Sequence, residues 1–239
     1  MSEKEKTTIA CVNGKGIIKK AFLCMMTLLM IFSSALLTSC TKIRSSDEIL
    51  AKNAAALIEK AQVLNYIYWG RGIPKKEGGA VMTDERFCEA DLSSLSQYGI
   101  TDMQSLRDYT RSVYSENESD NIIRTYLERS AYTDSFDNMQ YTEYYTRYLA
   151  DGEGKLFVRD GIDNLMGDTV VEYKYSTIHM GERQKRTVVF TIDVYISTKD
   201  GKPAYTDTLA LEMRLESGEY RLNTPIYCIY DEATAAEKQ

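Results

Sequence analysis

The sequence predicts an α+β fold in which helices come first and an antiparallel sheet comes last. Two observations support this. Apolar residues recur at three- and four-residue steps before residue 130, and they alternate with polar residues after residue 141. The first period is that of an amphipathic helix, and the second is that of a strand with one buried face. No internal repeat or linker interrupts the pattern, so we expect one domain with its N-terminal helices packed on the sheet.

The N-terminal segment has the pattern of an export signal. The basic pair Lys19-Lys20 precedes an apolar run, 21–37, which is at the short end for a membrane span of about 20 residues. The run leads into the tetrapeptide Leu-Thr-Ser-Cys40, which resembles the lipobox of bacterial lipoproteins. This resemblance implies that the thiol of Cys40 is acylated and that the lipid, such as palmitate, anchors the chain outside the cell membrane. The alternative is an uncleaved anchor helix that ends in a chance cysteine.

Removal of a signal at 1–39 would leave 24 basic and 33 acidic residues, a formal net charge of −9. Such a charge disfavours nucleic acid and anionic lipid headgroups as partners. We expect a lipidated tether at 40–46, the α+β domain at 47–230 and a flexible tail at 231–239.

Two cysteines, Cys88 and Cys228, would remain besides Cys40. In an exported protein they could form a disulfide, but two thiols do not determine a pairing. Two buried, reduced cysteines are the other interpretation, and the sequence leaves both open.

The helical part begins after Ser46, a predicted cap, and its first helix ends near Tyr68. The apolar stripe of this helix consists of Leu50, Ala54, Leu57, Ala61, Leu64 and Tyr68. Thr101-Asp-Met-Gln104 predicts the capping box of a second helix, and Ser119 is the predicted cap of a third. The connection at 130–140 is polar and predicts a mobile loop.

The period of two predicts a hairpin and then a four-stranded meander. The hairpin joins the segment before Asp151 to a strand at Lys155–Arg159. The meander strands are predicted at 169–179, 187–198, 205–216 and 220–227. A turn is predicted at Gly181-Glu182. The apolar face of the second meander strand consists of Val188, Phe190, Ile192, Val194 and Ile196.

This order of elements resembles the NTF2-like fold, which has a long first helix, two shorter helices and a curved antiparallel sheet enclosing a cone. The ending Leu211–Tyr227 is similar to the last hairpin of exported NTF2-like lipoproteins, with a Gly turn, an aromatic-Arg-Leu step and a Thr-Pro pair. The chain is also similar to secreted inhibitors of cell-wall DL-endopeptidases, through its Tyr-rich first helix and the strand Gly154–Phe157. This second resemblance implies an acidic surface that blocks the groove of a peptidase.

The pattern of an enzyme site is missing from the sequence. The single histidine, His179, stands beside a predicted turn, where a solvated side chain is the usual case, and no nucleophile elbow accompanies it. Zinc requires three or four ligands at characteristic spacings, which the sequence lacks. We therefore predict no catalytic residue, no metal ligand and no cofactor.

Binding residues are predicted in three places: the end of the first helix, an acidic stretch of poor periodicity, and the second meander strand. They are Tyr66, Trp69, Asp84, Glu85, Glu89 and Asp193. Each has a plainer interpretation. The aromatic residues are also typical of core packing, and the acidic stretch of a solvated loop. Asp193 either faces solvent or points into the cone.

Together these patterns predict a lipid-anchored extracytoplasmic binding protein that is not an enzyme. Its expected role is to inhibit or regulate a cell-wall peptidase, or another envelope protein, through an acidic surface. The alternative is small-molecule binding in the NTF2-like cone by a non-catalytic protein or a vestigial enzyme. The first hypothesis predicts a filled cone with a protruding acidic loop. The second predicts an open cavity lined by Asp193 and tyrosines.

Overall fold

The structure is a computed structural model that describes residues 46–82, 86–128, 131–136, 139–144, 146–161 and 164–238, with backbone alone over 131–144. These residues belong to one unit, Ser46–Gln239. The predicted signal and Cys40, the predicted site of lipid attachment, lie outside the described residues. Within the described ranges, no helix is long and apolar enough to cross a membrane.

Helix α1 spans Asp47–Tyr68, as the apolar stripe predicts. Ser46 caps it, since its side-chain oxygen accepts the backbone N–H of Ile49 at 3.3 Å. The buried face of α1 packs on the sheet and contacts its strands β6 (Thr169–Arg183) and β9 (Glu219–Leu222).

Helix α2 spans Met103–Val113, and its predicted start was wrong by one residue. Asp102, not Thr101, is the cap: its carboxylate accepts the backbone N–H of Ser105 at 2.7 Å, and the Ser105 hydroxyl accepts the backbone N–H of Asp102. Neighbouring Thr and Asp fit the same local pattern, and the backbone conformation decides which of them caps.

Helix α3 spans Glu116–Tyr126 and is capped by Ser115. The prediction that Ser119 caps this helix was wrong by four residues, because Ser119 lies inside α3 and is buried. Its hydroxyl donates to the carbonyl of Glu116 at 3.1 Å. A serine can satisfy itself within a helix in this way, so its presence alone does not mark a helix start.

The segment predicted as a mobile loop at 130–140 instead contributes strands. Strand β2 (Ala131–Phe136) pairs antiparallel with β3 (Met139–Tyr144). The prediction failed because it relied on alternation of apolar and polar residues, and this polar segment has none.

A small sheet has the order β1-β5-β4. Strands β4 (Tyr148–Ala150) and β5 (Leu156–Arg159) form the predicted hairpin. Strand β1 (Phe87–Glu89) adds to β5 from the stretch 82–96, which has no clear period and for which the sequence leaves open a short strand or a segment lying across the core. Its three residues are too few for a period to be recognised.

The main sheet is antiparallel, in the order β6-β7-β8-β9, with β7 at Thr187–Thr198 and β8 at Tyr205–Glu216. The predicted bounds of β7 and β8 are confirmed, whereas β9 ends earlier than predicted, at Leu222. The inward residues of β7 are all buried, so α1 and this sheet enclose the core: Val188, Phe190, Ile192, Val194 and Ile196. The fold is thus α+β, with helices and antiparallel sheets.

Strand β6 continues to Arg183, through the position predicted as a turn. Register shifts interrupt its pairing with β7, and Gly181 falls within one of them. A Cβ on Gly181 would lie 3.3 Å from the carbonyl oxygen of Val189, so glycine allows the close approach. His179 lies in this strand with an exposed side chain, not in a turn.

The predicted flexible tail at 231–239 is replaced over most of its length by helix α4, Glu232–Glu237. Ala235 of this helix is buried. After it, Lys238 pairs with the carboxylate of Asp207 at 2.7 Å. The prediction failed because a six-residue helix that packs on a sheet carries little periodic signal of its own.

Candidate functional site

A cleft of about 170 Å³ lies between the C-terminal half of α1 and the first residues of β6. We call it the Asn65 cleft; it is lined by Gln62, Asn65, Tyr66, Arg71, Tyr173 and Lys199, among others. Its volume is below the roughly 300–1,000 Å³ of pockets that hold drug-sized molecules. It therefore suits a small ligand.

The orientation of the Asn65 amide is fixed by a chain of hydrogen bonds. The Tyr173 hydroxyl donates to the carbonyl of Ile226 at 2.6 Å, and the Asn65 amide nitrogen lies 3.3 Å from the same hydroxyl oxygen. Burial raises the pKa of Tyr173 well above its ordinary value, so its proton stays in place. Because that proton is used by Ile226, Asn65 must donate through its nitrogen.

The Asn65 Oδ1 atom is left as a buried acceptor. The residue is 4% exposed, and Oδ1 has no hydrogen-bond partner among the described residues. Asn164, also in the cleft, repeats this arrangement: its nitrogen donates to the carbonyl of Gly167 at 2.6 Å, and its buried Oδ1 has no described partner. Such a group costs roughly 1–3 kcal/mol and is usually met by water or a ligand.

The mouth of the cleft is positively charged. Arg71 is exposed and lies 3.6 Å from the carboxylate of Asp168, which offsets part of its charge. Lys199 is also exposed, and within the described ranges its ammonium group has no carboxylate partner. A positive mouth on an acidic chain is a local feature that net charge does not reveal.

The two aromatic residues predicted for binding have different positions. Tyr66 lines the Asn65 cleft and is 46% exposed. Trp69 is buried and stacks on Tyr227 with ring centroids 4.7 Å apart, so it packs against the core. Of the predicted acidic residues, Asp84 and Glu85 lie outside the described residues.

Glu89 lies in β1, and ion pairs satisfy its carboxylate. It pairs with Lys76 at 2.7 Å and with Lys155 at 3.8 Å, and it accepts the backbone N–H of Ala80 at 3.1 Å. Its side chain is only 11% exposed. The negative charge of Glu89 is therefore offset by Lys76 and Lys155 of the same domain.

These contacts of Glu89 predict that the stability of the fold depends on pH. The hydrogen bond from Lys76, followed by that from Ala80, holds the pKa of Glu89 below its ordinary value. A lowered folded-state pKa stabilises the fold above the unfolded pKa, about 4.3, and this stability is lost as the pH falls through the folded value. We expect Glu89→Gln to lower the melting temperature at pH 6 but much less at pH 3, measured by circular dichroism.

The exposed Glu153 provides the control for this prediction. Glu153→Gln should change the melting temperature little at either pH. An equal effect of Glu89→Gln at pH 3 and pH 6 would show that the carboxylate charge is not what stabilises the loop.

Asp193 lies in β7, away from the Asn65 cleft. Its half-buried carboxylate accepts the hydroxyl of Thr208 at 2.7 Å, across to β8. Asp193 does not line the Asn65 cleft, whereas Tyr66 of α1 and Tyr173 of β6 do. The structure therefore does not bring Asp193 together with these tyrosines, as the cavity hypothesis expects.

Asn65, Asn164 and Lys199 were not predicted as site residues. Asn65 had a usable signal: it lies four residues after Ala61 and three before Tyr68, so a polar side chain stands on the apolar side of α1. Asn164 and Lys199 had none, because only the fold brings their loops to the helix.

The cysteines Cys88 and Cys228 are both free. Burial raises the pKa of the Cys228 thiol to about 11, which disfavours the reactive thiolate. Among the described residues, no group of three or more His, Cys, Asp or Glu side chains could hold a metal ion.

No protein-family model matches the chain, and no curated protein matches it.

Proposed function

We propose that this chain is a lipid-anchored extracytoplasmic binding protein, not an enzyme, and that it holds a small molecule in the Asn65 cleft. The observation that carries the proposal is the cleft itself, whose polar lining includes Gln62, Asn65 and Lys199. A concave site with a few polar groups among apolar ones is the usual form of a small-molecule site.

The composition of the cleft supports binding over catalysis. The described residues that line it include no carboxylate, histidine or thiol that could serve as a general base or nucleophile. The Tyr173 hydroxyl is held protonated by burial and is occupied by Ile226. The polar groups present can orient a molecule.

For the finer fold we propose an NTF2-like cone. The order of a long α1, shorter α2 and α3, and then an antiparallel meander supports this proposal. So do the register shifts in β6, since bulges bend and twist a strand. In such a cone the Asn65 cleft would lie between the first helix and the sheet.

Regulation of a cell-wall peptidase through an acidic surface is the second candidate, and the net charge of −9 over residues 40–239 favours it. At Glu89 this candidate has no support, because the carboxylate is already paired with Lys76 and Lys155. Adding the purified chain to envelope peptidases and measuring their activity tests this candidate. Salt-sensitive inhibition would favour it over the cleft.

The proposed lipid anchor at Cys40 can be tested by labelling. In a bacterial host fed labelled palmitate, the wild-type chain should carry the label, and Cys40→Ser should lose it entirely, because the thiol is the acceptor. Buried acyl chains contribute roughly 0.8 kcal/mol per methylene, so several chains would hold the protein at the membrane.

Cys24, in the apolar run, is the matched control. Cys24→Ser should keep the label, and its mature mass should correspond to a chain that starts at Cys40. Label that persists in Cys40→Ser would refute anchoring through this cysteine.

Binding is tested by thermal denaturation of the full chain in detergent against a set of small polar molecules. A ligand that raises the melting temperature of the wild type but not of a variant in the Asn65 cleft supports the proposal. Inhibition of a peptidase with no small-molecule effect would contradict it in favour of the second candidate.

A further inference from the structure

The charged side chains that line the Asn65 cleft are all basic, as far as the described residues go. Arg71 and Lys199 line it, and no aspartate or glutamate of the described ranges does. The chain from Cys40 onward has 24 basic and 33 acidic residues, so the lining has the opposite sign to the protein as a whole. Because a concave site concentrates the field of its charges, the lining favours a negatively charged ligand.

Backbone hydrogen bonds hold the two segments that carry these cations. The N–H of Gly72, next to Arg71, donates to the carbonyl of Tyr66 at 3.0 Å, which ties this loop to the end of α1. The N–H of Lys199 donates to the carbonyl of Asp168 at 3.1 Å, just before β6. The backbone at both cations is therefore in place before a ligand arrives, and less conformational entropy is lost on binding.

The charge balance at the mouth suits a monoanion. Arg71 lies 3.6 Å from the carboxylate of Asp168, so these two charges offset each other in part. Lys199 has no carboxylate partner in the part of the chain that the structure describes, and its charge is left uncompensated. A carboxylate balances one positive charge, whereas a phosphate group carries roughly −1.5 to −2 near neutral pH and would exceed it.

Apolar side chains form part of the wall. Met166 and Val171 line the cleft and pack against the hydrophobic core. An aliphatic group placed against them leaves water, which favours binding. The cleft holds about 170 Å³, and an apolar cavity of about 150 Å³ is large enough for benzene. The apolar body of the ligand is therefore limited to about four to six carbon atoms.

We infer that the ligand is a small monocarboxylate with a compact apolar body. Its carboxylate pairs with Lys199 at the mouth that Arg71 also lines, and its apolar body lies against Met166 and Val171. The inference rests on the proposed function of the cleft. It adds the chemical class of the ligand.

The test is isothermal titration of the full chain, in an uncharged detergent at pH 7, with isovalerate and three comparison molecules. Isovaleramide has the same shape but no charge, isoamylamine carries the opposite charge, and inorganic phosphate has charge but no apolar body. We expect isovalerate to bind about tenfold more tightly than isovaleramide or phosphate, because a charge-assisted contact and an apolar contact both contribute. Isoamylamine should show no binding.

Variants locate the two ends of the ligand. Lys199→Gln removes the charge and keeps a polar side chain, so it should weaken isovalerate about tenfold and leave isovaleramide unchanged. Lys185→Gln, the same change at an exposed turn, should affect neither ligand. Lys199 is also exposed, so both lysine variants should fold as the wild type does. Val171→Thr keeps the shape of the wall but makes it polar, and it should weaken both ligands.

The outcomes separate the inference from the proposed function. Equal affinities for isovalerate and isovaleramide, or equal losses in the two lysine variants, overturn the carboxylate. Phosphate that binds as tightly as isovalerate overturns the apolar body. If no carboxylate binds but another small molecule occupies the cleft, the inference fails and the proposed function stands. If no small molecule binds at all, both fail.

Discussion

Replacing Arg147 with methionine should lower the free energy of unfolding by about 2–4 kcal/mol, because two buried carbonyls lose their donors. Arg147 is 2% exposed, and its guanidinium donates to the carbonyls of Tyr68 and Gly70, the latter at 2.6 Å. These carbonyls stand at the C-terminal end of α1, where no helical N–H is available. Arg147 thus caps the helix from outside it.

Residues next to Arg147 and in the loop after α1 also hold the C-terminal end of this helix. Tyr148 donates to the carbonyl of Ile67 at 2.8 Å and accepts the backbone N–H of Ile73 at 3.0 Å. Gly72 has a positive φ of 76°, and a Cβ there would lie 2.8 Å from the Tyr148 hydroxyl. Methionine at 147 has the length of the arginine stem but cannot replace its bonds.

Urea denaturation of the unit Ser46–Gln239, followed by the fluorescence of its single Trp69, measures the loss. Arg186→Met is the matched control at an exposed turn and should change stability by less than about 0.5 kcal/mol. Similar losses in the two variants would show that the end of α1 is not held by Arg147.

Replacing Phe190 with alanine should be at least as damaging, with a loss of about 3–5 kcal/mol. Phe190 is fully buried in the middle of β7, directly opposite Leu211 of β8. Its removal loses the free energy gained when the ring moves from water into the core. It also leaves a cavity that the strands on both sides cannot close. The same denaturation experiment measures the effect.

Tyr195, on the other face of β7, is the control. It is 40% exposed, and Lys174 lies 5.6 Å from its ring centroid, so Tyr195→Ala should cost only about 1 kcal/mol. If Tyr195→Ala costs as much as Phe190→Ala, the alternation of β7 does not define which face is the core.

The sequence predicted best where a long element buries one continuous face. The bounds of α1, β7 and β8 follow from such faces, since each repeats its period over twelve residues or more. It predicted worst where elements are short or polar. The strand pair at 131–144 and the helix at 232–237 have no long apolar face, and their pairing partners decide their structure.

The candidate site was predicted only in part. Tyr66 was predicted because aromatic residues cluster at the end of α1, and it lines the Asn65 cleft, whereas Trp69 of the same cluster packs in the core. The acidic character assigned to Glu89 is offset by lysines from two loops. Local composition shows which chemical groups are present, and it does not show which of them neutralise one another.

The amino-acid sequence alone indicates the long helix, the main-sheet strands, the α+β class and the inward face of the main sheet, because hydrophobic periodicity is a local property of the chain. The Asn65 cleft and the capping of α1 by Arg147 arise only when the chain is folded. Asn65 and Asn164 are about a hundred positions apart, and Arg147 is almost eighty from Tyr68. Contacts at such separations leave no period in the sequence, since they exist only once the helix packs on the sheet.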